Sequence, residues 1–214
     1  MRPMNQMEAL QRIRALGVAG FATRDVAALL KVSPANASVI LSRLARGGFV
    51  QRLARGHWTQ GSPGGREVAA EQLAAPFPAY VSLQSALFRH GLIEQIPAVL
   101  YVATLGRARR VSTPLGAISF HRLPAELFGG FETTPDGAKM ATAEKALFDL
   151  FYLAPTRSRL FATLPEVEFP RTFRWHEAEA WTARIAGKSR RIFVEQKLAV
   201  CRFGKKAEAR RQSK

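Results

Sequence analysis

The chain has 214 residues, of which 47% are hydrophobic and 22% are charged. This apolar content is sufficient for a folded core and excludes a chain that is disordered throughout. The 32 Lys and Arg residues outnumber the 16 Asp and Glu residues, so the net charge is +16 at pH 7. Such an excess points to a polyanionic partner, either nucleic acid or an anionic membrane surface.

The cysteine content and the hydropathy pattern exclude several classes of protein. The single cysteine, Cys201, excludes an intrachain disulfide framework and the usual multi-cysteine zinc and iron–sulfur sites. No apolar run approaches the roughly 20 residues that a membrane helix requires. The first residues lack the apolar core and cleavage site of a signal peptide. We therefore expect a soluble, cytoplasmic protein with no membrane partner.

The excess positive charge lies at the two ends of the chain. Residues 1–60 carry nine basic and two acidic residues, residues 151–214 carry fifteen and six, and residues 61–150 carry eight of each. Binding to a membrane surface favours one basic amphipathic helix with large apolar residues opposite, a pattern that this chain lacks. The distribution therefore favours nucleic acid, and a generically basic solvated surface is the alternative.

Two short helices are predicted within the first thirty residues. Apolar residues recur every three to four positions over Met4–Leu16, which is the period of a helix. Thr23 is expected to cap a second helix, with Asp25 in the first turn, where a carboxylate suits the positive end of the helix. This second helix is expected to end near Lys31.

A third helix and a hairpin complete the N-terminal pattern. Ser33 and Pro34 are a favoured N-cap and first helical residue, and the helix is expected to end at Gly47-Gly48. The residues 49–53 and 57–60 suit two strands, with Ala54–Gly56 as the turn between them. A helix followed by a helix-turn-helix and a hairpin predicts a winged helix-turn-helix over residues 1–60.

The remainder of the chain predicts a second domain that mixes helices and strands. Gly61–Gly65 is rich in Gly and Pro and indicates a linker, so residues 61–79 are assigned to this linker and a short helix over Arg66–Ala74. Residues 80–203 are assigned to a larger C-terminal α/β domain, which makes the fold class mixed α+β. Residues 204–214 are expected to form a basic flexible tail.

Periodicity predicts individual elements within this second domain. The expected helices are Ser82–His90 (closed by Gly91), Thr142–Leu153 and Glu177–Ala186; the expected strands are Ala98–Thr104 and Gly116–His121; Ile192–Cys201 suits either a helix or a strand.

The third helix of the N-terminal domain has the composition of a DNA-recognition helix. Such a helix enters the major groove with its N-terminal residues at the base edges. Its apolar residues Ile40, Leu41 and Leu44 are expected to face the core. Asn36 suits a bidentate pair with adenine and Arg43 one with guanine, and each such pair contributes about 1–3 kcal/mol of discrimination.

Phosphate contacts are expected from helix N-termini and from the hairpin. Backbone N–H groups at Thr23 and Arg24 point toward an approaching phosphate, and few acids lie beside the arginines of this domain. Ser33 is a helix cap first and a phosphate ligand second, and Trp58 is expected in the core of the wing. The predicted DNA-binding residues are Thr23, Arg24, Ser33, Ala35, Asn36, Ser38, Val39, Ser42, Arg43, Arg46, Arg52, Arg55 and His57.

No catalytic or cofactor site is predicted. The chain has neither a phosphate-binding loop nor a dinucleotide fingerprint, and its four histidines are scattered. Cys201 lies in an apolar stretch typical of a core. Glu144 and Asp149 are five residues apart on one predicted helix and do not share a face, and Glu144 with Lys145 suits a solvated pair. We therefore expect no enzyme, no cofactor and no metal.

Three stretches in this order resemble the AbiEi family of bacterial type IV antitoxins. They are T-R-D-V-A-A-L-L-K-V-S-P-A-N-A-S-V-I-L-S-R-L-A-R-G-G-F-V (Thr23–Val50), Y-V-S-L-Q-S-A-L-F-R-H-G-L-I-E-Q-I-P (Tyr80–Pro97) and A-T-A-E-K-A-L-F-D-L-F-Y-L (Ala141–Leu153). The family often has proline where Ala143 stands, and alanine tolerates the same helix start. The resemblance covers roughly residues 5–200.

The resemblance implies two activities in the bacterial cytoplasm. The winged helix would repress the protein's own promoter by binding repeats in duplex DNA. The C-terminal domain would counter a toxin of the nucleotidyltransferase class, without a requirement for a tight complex between the two proteins. Family members are not enzymes.

Two other functions fit the residues. One is a stand-alone winged-helix regulator with a C-terminal ligand-binding or protein-interaction domain. The other is a nuclease recruited to DNA, although no convincing set of clustered carboxylates is present to hold its metal. The basic C-terminal region suits contact with DNA, RNA or a toxin, or a solubilising role.

Overall fold

The structure is a computed structural model that describes residues 5–18, 20–60, 65–154 and 166–212, and the side chains of these except residues 65 and 204–212. The described residues form eight α-helices and two β-sheets, which confirms the mixed α+β class. None of these helices combines the length and the apolar character needed to cross a membrane.

Residues 5–60, which we call the N-terminal unit, combine three helices with a small sheet. The elements are α1 (Gln6–Arg14), β1 (Gly20–Ala22), α2 (Thr23–Leu30), α3 (Pro34–Arg46), β2 (Gln51–Ala54) and β3 (His57–Thr59). The sheet is antiparallel in the order β1-β3-β2. Its central Trp58 is buried against residues of all three helices, among them Leu10, Val26 and Leu41.

The third predicted helix is confirmed together with its cap. Ser33 is the N-cap of α3, and its Oγ accepts a hydrogen bond from the Asn36 N–H at 3.2 Å. Pro34 is the first helical residue and Gly47 is the C-cap. Gly48 follows at φ +73°, a left-handed conformation in which glycine carries no steric penalty.

The prediction that Thr23 caps α2 is wrong by one residue. Ala22 is the N-cap, and the Asp25 carboxylate accepts from the Ala22 N–H at 2.8 Å. The Thr23 hydroxyl instead accepts from the Trp58 Nε1–H at 2.9 Å, and the Thr23 N–H donates to the Gly56 carbonyl at 2.8 Å. The threonine is therefore committed to holding α2 against the β2–β3 hairpin.

The remaining described residues, 65–154 and 166–212, form what we call the C-terminal unit around a six-stranded mixed sheet. Its strands are β4 (Ala79–Val81), β5 (Val99–Thr104), β6 (Arg109–Thr113), β7 (Gly116–Arg122), β8 (Phe131–Thr133) and β9 (Lys139–Ala141), in the order β6-β7-β5-β4-β9-β8. The β5–β7 and β4–β9 pairs are parallel, and the other pairs are antiparallel.

Five helices accompany this sheet. They are α4 (Gly65–Ala74), α5 (Leu83–Arg89), α6 (Ala143–Leu153), α7 (Trp175–Ala180) and α8 (Lys188–Gln212), with a 3-10 turn at Trp181–Arg184. The helix α6 lies at the centre, in contact with α5, α7 and α8. Its Leu147, Phe148 and Phe151 are almost fully buried in the core.

Most of the predicted elements of this unit are present with shifted ends. The strands β5 and β7, the helices α4, α5 and α6, and most of Glu177–Ala186 as helix agree with the structure. Ile192–Cys201 is helical within α8, which continues through residues 204–212, the segment predicted as a tail. Ser82 stands at the N-cap of α5 without a side-chain capping bond, because its hydroxyl donates to Asp149. The predicted linker, except for residue 65, lies outside the described residues.

The two units are in direct contact. Leu53 of β2 is 2% exposed and belongs to the same apolar cluster as Ala69, Ala70 and Leu73 of α4. A Cβ at Gly20 of β1 would lie 1.5 Å from the Gln72 Oε1, so the Gln72 side chain of α4 lies directly against the backbone of β1. The contact places the hairpin of the N-terminal unit beside β6.

Candidate nucleic-acid interface

The helix α3 has one buried face and one exposed face. Ala37, Leu41 and Leu44 are fully buried, whereas Ile40, predicted in the core, is only half-buried. The side chains predicted on the open face are all exposed: Ser33, Ala35, Asn36, Ser38, Val39, Ser42, Arg43 and Arg46. The face therefore presents polar groups, two arginines and small side chains together.

The exposed face of α3 has the chemistry that a DNA groove requires. The helix contains no acidic residue, and its basic residues, Arg43 and Arg46, lie in its last turn. Val39 is 49% exposed, and an apolar side chain of this size suits contact with a thymine methyl group. Ala35 and Ser38 are small enough for the backbone to approach base edges closely.

The β2–β3 hairpin carries the second group of predicted residues. Arg52 and Arg55 are exposed, and the Arg52 guanidinium lies 5.7 Å from the centre of the Trp58 ring. His57 is half-buried. Burial lowers the pKa of His57 from its usual 6.5, and the nearby guanidinium groups of Arg24 and Arg109 lower it further. His57 is therefore neutral at pH 7 and offers a hydrogen bond rather than a charge.

The two residues predicted as contacts at the start of α2 have different surroundings. Arg24 is exposed, and its guanidinium lies 3.6 Å from the Asp25 carboxylate. Thr23 has its N–H and hydroxyl bonded within the protein, as described above. Thr23 thus positions the hairpin relative to α2, and Arg24 remains available to an anion.

A second set of arginines was missed at the sequence level. Arg109 and Arg110 lie on the edge strand β6, with Arg107 before it and Arg122 at the end of β7, and all four are exposed. None of them forms an ion pair within the described part of the chain. The equal numbers of acids and bases over residues 61–150 concealed this cluster, although the run G-R-A-R-R (Gly106–Arg110) marks it.

The expectation of a solvated pair at the start of α6 is wrong. Glu144 is 5% exposed and Lys145 is fully buried. The Glu144 carboxylate accepts from the Arg174 N–H at 3.0 Å. The Lys145 ammonium is paired with Asp149, whose carboxylate also accepts from the hydroxyls of Tyr80 (3.0 Å) and Ser82 (2.7 Å).

This buried network is sealed from solvent on all sides. The Lys145 Nζ lies 4.4 Å from the centre of the Trp181 ring and 5.0 Å from that of Phe148. Burial raises the pKa of Asp149 and lowers the pKa of Lys145, and the mutual attraction of the two charges opposes both shifts. The Lys145 side chain therefore lies within the core, away from the surface.

No protein-family model matches the chain, and no curated protein sequence matches it. Within residues 5–18, 20–60, 65–154 and 166–212, no group of three or more His, Cys, Asp and Glu side chains is placed to hold a metal ion. The exposed residues of α3 and of the β2–β3 hairpin therefore form the candidate interface.

Proposed function

We propose that residues 5–60 form a winged helix-turn-helix that binds duplex DNA through α3 and the β2–β3 hairpin, and that the protein represses its own promoter. The observation that carries the proposal is the exposed face of α3, which is capped, free of acids and lined by Asn36 and Arg43. Autoregulation follows from the resemblance to AbiEi antitoxins.

Several further observations support this assignment. The α2–α3 turn is tight, because Lys31 adopts a left-handed conformation at φ 54° and Val32 donates its N–H to the Ala27 carbonyl at 3.0 Å. The hairpin follows α3 directly and exposes Arg52 and Arg55. In this arrangement α3 meets base edges while the hairpin and the start of α2 meet phosphates.

The C-terminal unit is proposed to carry the antitoxin activity, that is, to counter a nucleotidyltransferase toxin. This part of the proposal rests on the motifs Tyr80–Pro97 and Ala141–Leu153 alone. The buried polar network explains those motifs as structure, since Tyr80, Ser82, Lys145 and Asp149 all belong to it. The alternative is a stand-alone winged-helix regulator that has no partner toxin and whose C-terminal unit binds a ligand or another protein.

A reporter driven by the protein's own upstream DNA tests the proposed function. Arg43→Ala is expected to reduce repression about tenfold or more, because it removes one base contact. Arg89→Ala, which removes the same charge from an exposed position on α5, is the matched control and is expected to repress normally. Full repression by Arg43→Ala would contradict the assignment of α3 as the recognition helix.

A further inference from the structure

An open cleft of about 520 Å³ lies next to the contact between the two units, on the C-terminal unit. It is lined by the Pro76-Phe77 segment and by Gly106, Arg107, Arg109 and Arg122. The lining contains no acidic residue. A cleft of this volume lies within the range of about 300–1,000 Å³ that is usual for small-molecule sites.

The three arginines of the cleft carry positive charge without a carboxylate partner. Arg109 donates to the Leu73 carbonyl and lies with its guanidinium 4.7 Å from the centre of the Phe120 ring, so this side chain is fixed in place. Arg107 and Arg122 are exposed and form no ion pair among the described residues. Three guanidinium groups around one cleft favour an anion with several oxygens, because each group donates in a planar fork.

The lining of the cleft also includes one aromatic ring, Phe77. Phe77 is 47% exposed, which is unusual for a side chain of this size. A Cβ at Gly106 would lie 2.9 Å from the Phe77 ring, so the glycine allows the ring to pack directly on the backbone. The Gly106 N–H is held in turn by the Thr104 hydroxyl at 3.1 Å. The ring is therefore supported from behind and open to the cleft.

We propose that this cleft binds a nucleoside phosphate, with the base against Phe77 and the phosphate groups on Arg107, Arg109 and Arg122. Base–aromatic stacking tolerates any base, and the arginines supply the charge that the phosphates require. The residues are separate from α3 and the hairpin, so the proposal does not depend on the proposed DNA binding. The nucleoside phosphate has two possible sources, a free nucleotide or an unstacked nucleotide of a single strand.

The test is calorimetric titration of the full-length protein with ATP, GTP, CTP and UTP, and with tripolyphosphate as a probe without a base. We expect saturable binding of the nucleotides at one site. Arg107→Ala and Arg122→Ala are each expected to weaken it about tenfold. Phe77→Ala is expected to weaken nucleotide binding and to leave tripolyphosphate binding unchanged.

Arg110→Ala is the matched control. Arg110 is adjacent to Arg109 on β6, so it faces the opposite side of the sheet and does not line the cleft. The variant removes the same charge and is expected to bind nucleotides within about twofold of the unchanged protein. An absence of saturable binding, an equal loss in Arg110→Ala and Arg122→Ala, or a Phe77→Ala variant with unchanged nucleotide affinity would overturn the proposal.

A competition experiment separates the two sources. A short single-stranded oligonucleotide that displaces ATP from the cleft would assign the site to an unstacked nucleotide of a strand, and failure to displace it would assign the site to free nucleotides. A blunt duplex is the second competitor. If the duplex displaced ATP at the same concentration as the single strand does, the proposal would be overturned, because the arginines would then contact duplex phosphates without holding a base.

Discussion

At the scale of single residues, the pair Lys145–Asp149 is the clearest case of charge removed from water. Both side chains are fully buried, and transfer of each charge from water is costly unless the partner and further hydrogen bonds compensate. Tyr80 and Ser82 supply two of those hydrogen bonds. Removal of any one of these four side chains would therefore leave a buried polar group without its partner.

We predict that Asp149→Ala lowers the free energy of unfolding by about 3–5 kcal/mol, because it leaves Lys145 buried without a partner. The double variant Lys145→Met/Asp149→Leu removes both charges. It is expected to lower the free energy of unfolding by less than Asp149→Ala alone, although the Tyr80 and Ser82 hydroxyls then lose their acceptor. Urea unfolding of the full chain measures both values. A smaller loss of unfolding free energy in Asp149→Ala than in the double variant would contradict this account.

The sequence predicted a helix over Thr142–Leu153, which is α6, but not the environment of its polar residues. A lysine and an aspartate four residues apart on a helix are typical of a solvated surface pair. The pair Lys145–Asp149 is buried in this protein, where Tyr80 and Ser82, far away in the sequence, donate to Asp149. Tertiary neighbours of this kind leave no local signal, so the burial of Lys145 was not predicted.

At the scale of secondary structure, the end signals of the helices were the most informative part of the sequence. Ser33, Pro34 and Gly47 defined both ends of α3, because capping is a local interaction between a side chain and nearby N–H groups. The three-residue strands β1, β4, β8 and β9 and the five-residue strand β6 were not predicted, because short strands show little or no alternating pattern. The three-residue β3 was predicted because a turn signal precedes it.

Substitutions at Ser33 separate its capping role from its place in the candidate DNA interface. Ser33→Ala is expected to destabilise the protein by about 1 kcal/mol, since the Asn36 N–H loses its acceptor. Ser33→Asp retains the cap and is expected to keep full stability, but its negative charge next to the phosphates weakens DNA binding. Thermal unfolding and fluorescence anisotropy measure the two effects. A Ser33→Asp variant that bound DNA normally would remove Ser33 from the interface.

At the scale of the whole molecule, the two units share a packed contact. Leu53 belongs to the N-terminal unit by sequence and to the core of the C-terminal unit by packing. The hairpin that carries Arg52 and Arg55 is thereby held against α4 and β6. The Gly-rich composition of residues 61–65 indicated a boundary but contained no information about this contact.

We predict that the two units unfold together. Leu53→Ala is expected to lower the free energy of unfolding by about 2–5 kcal/mol, because it opens a cavity in a fully packed site. In urea titrations, Trp58 reports the unfolding of the N-terminal unit, and Trp175 and Trp181 report that of the C-terminal unit. We expect the two transitions to shift to lower urea concentration by the same amount. Tryptophan-to-phenylalanine variants separate the two signals. A shift confined to the Trp58 signal would show that the units are independent.

The central claim is that this protein recognises a DNA sequence through α3. The most direct test is an anisotropy titration of the purified full-length protein on the DNA upstream of its own gene and on a scrambled duplex, at two salt concentrations. We expect binding to the upstream fragment to be tighter by at least roughly a hundredfold at matched salt, with both affinities falling as salt rises. Equal and steeply salt-dependent affinities for the two duplexes would contradict the claim, because the net charge of +16 would then act without sequence recognition.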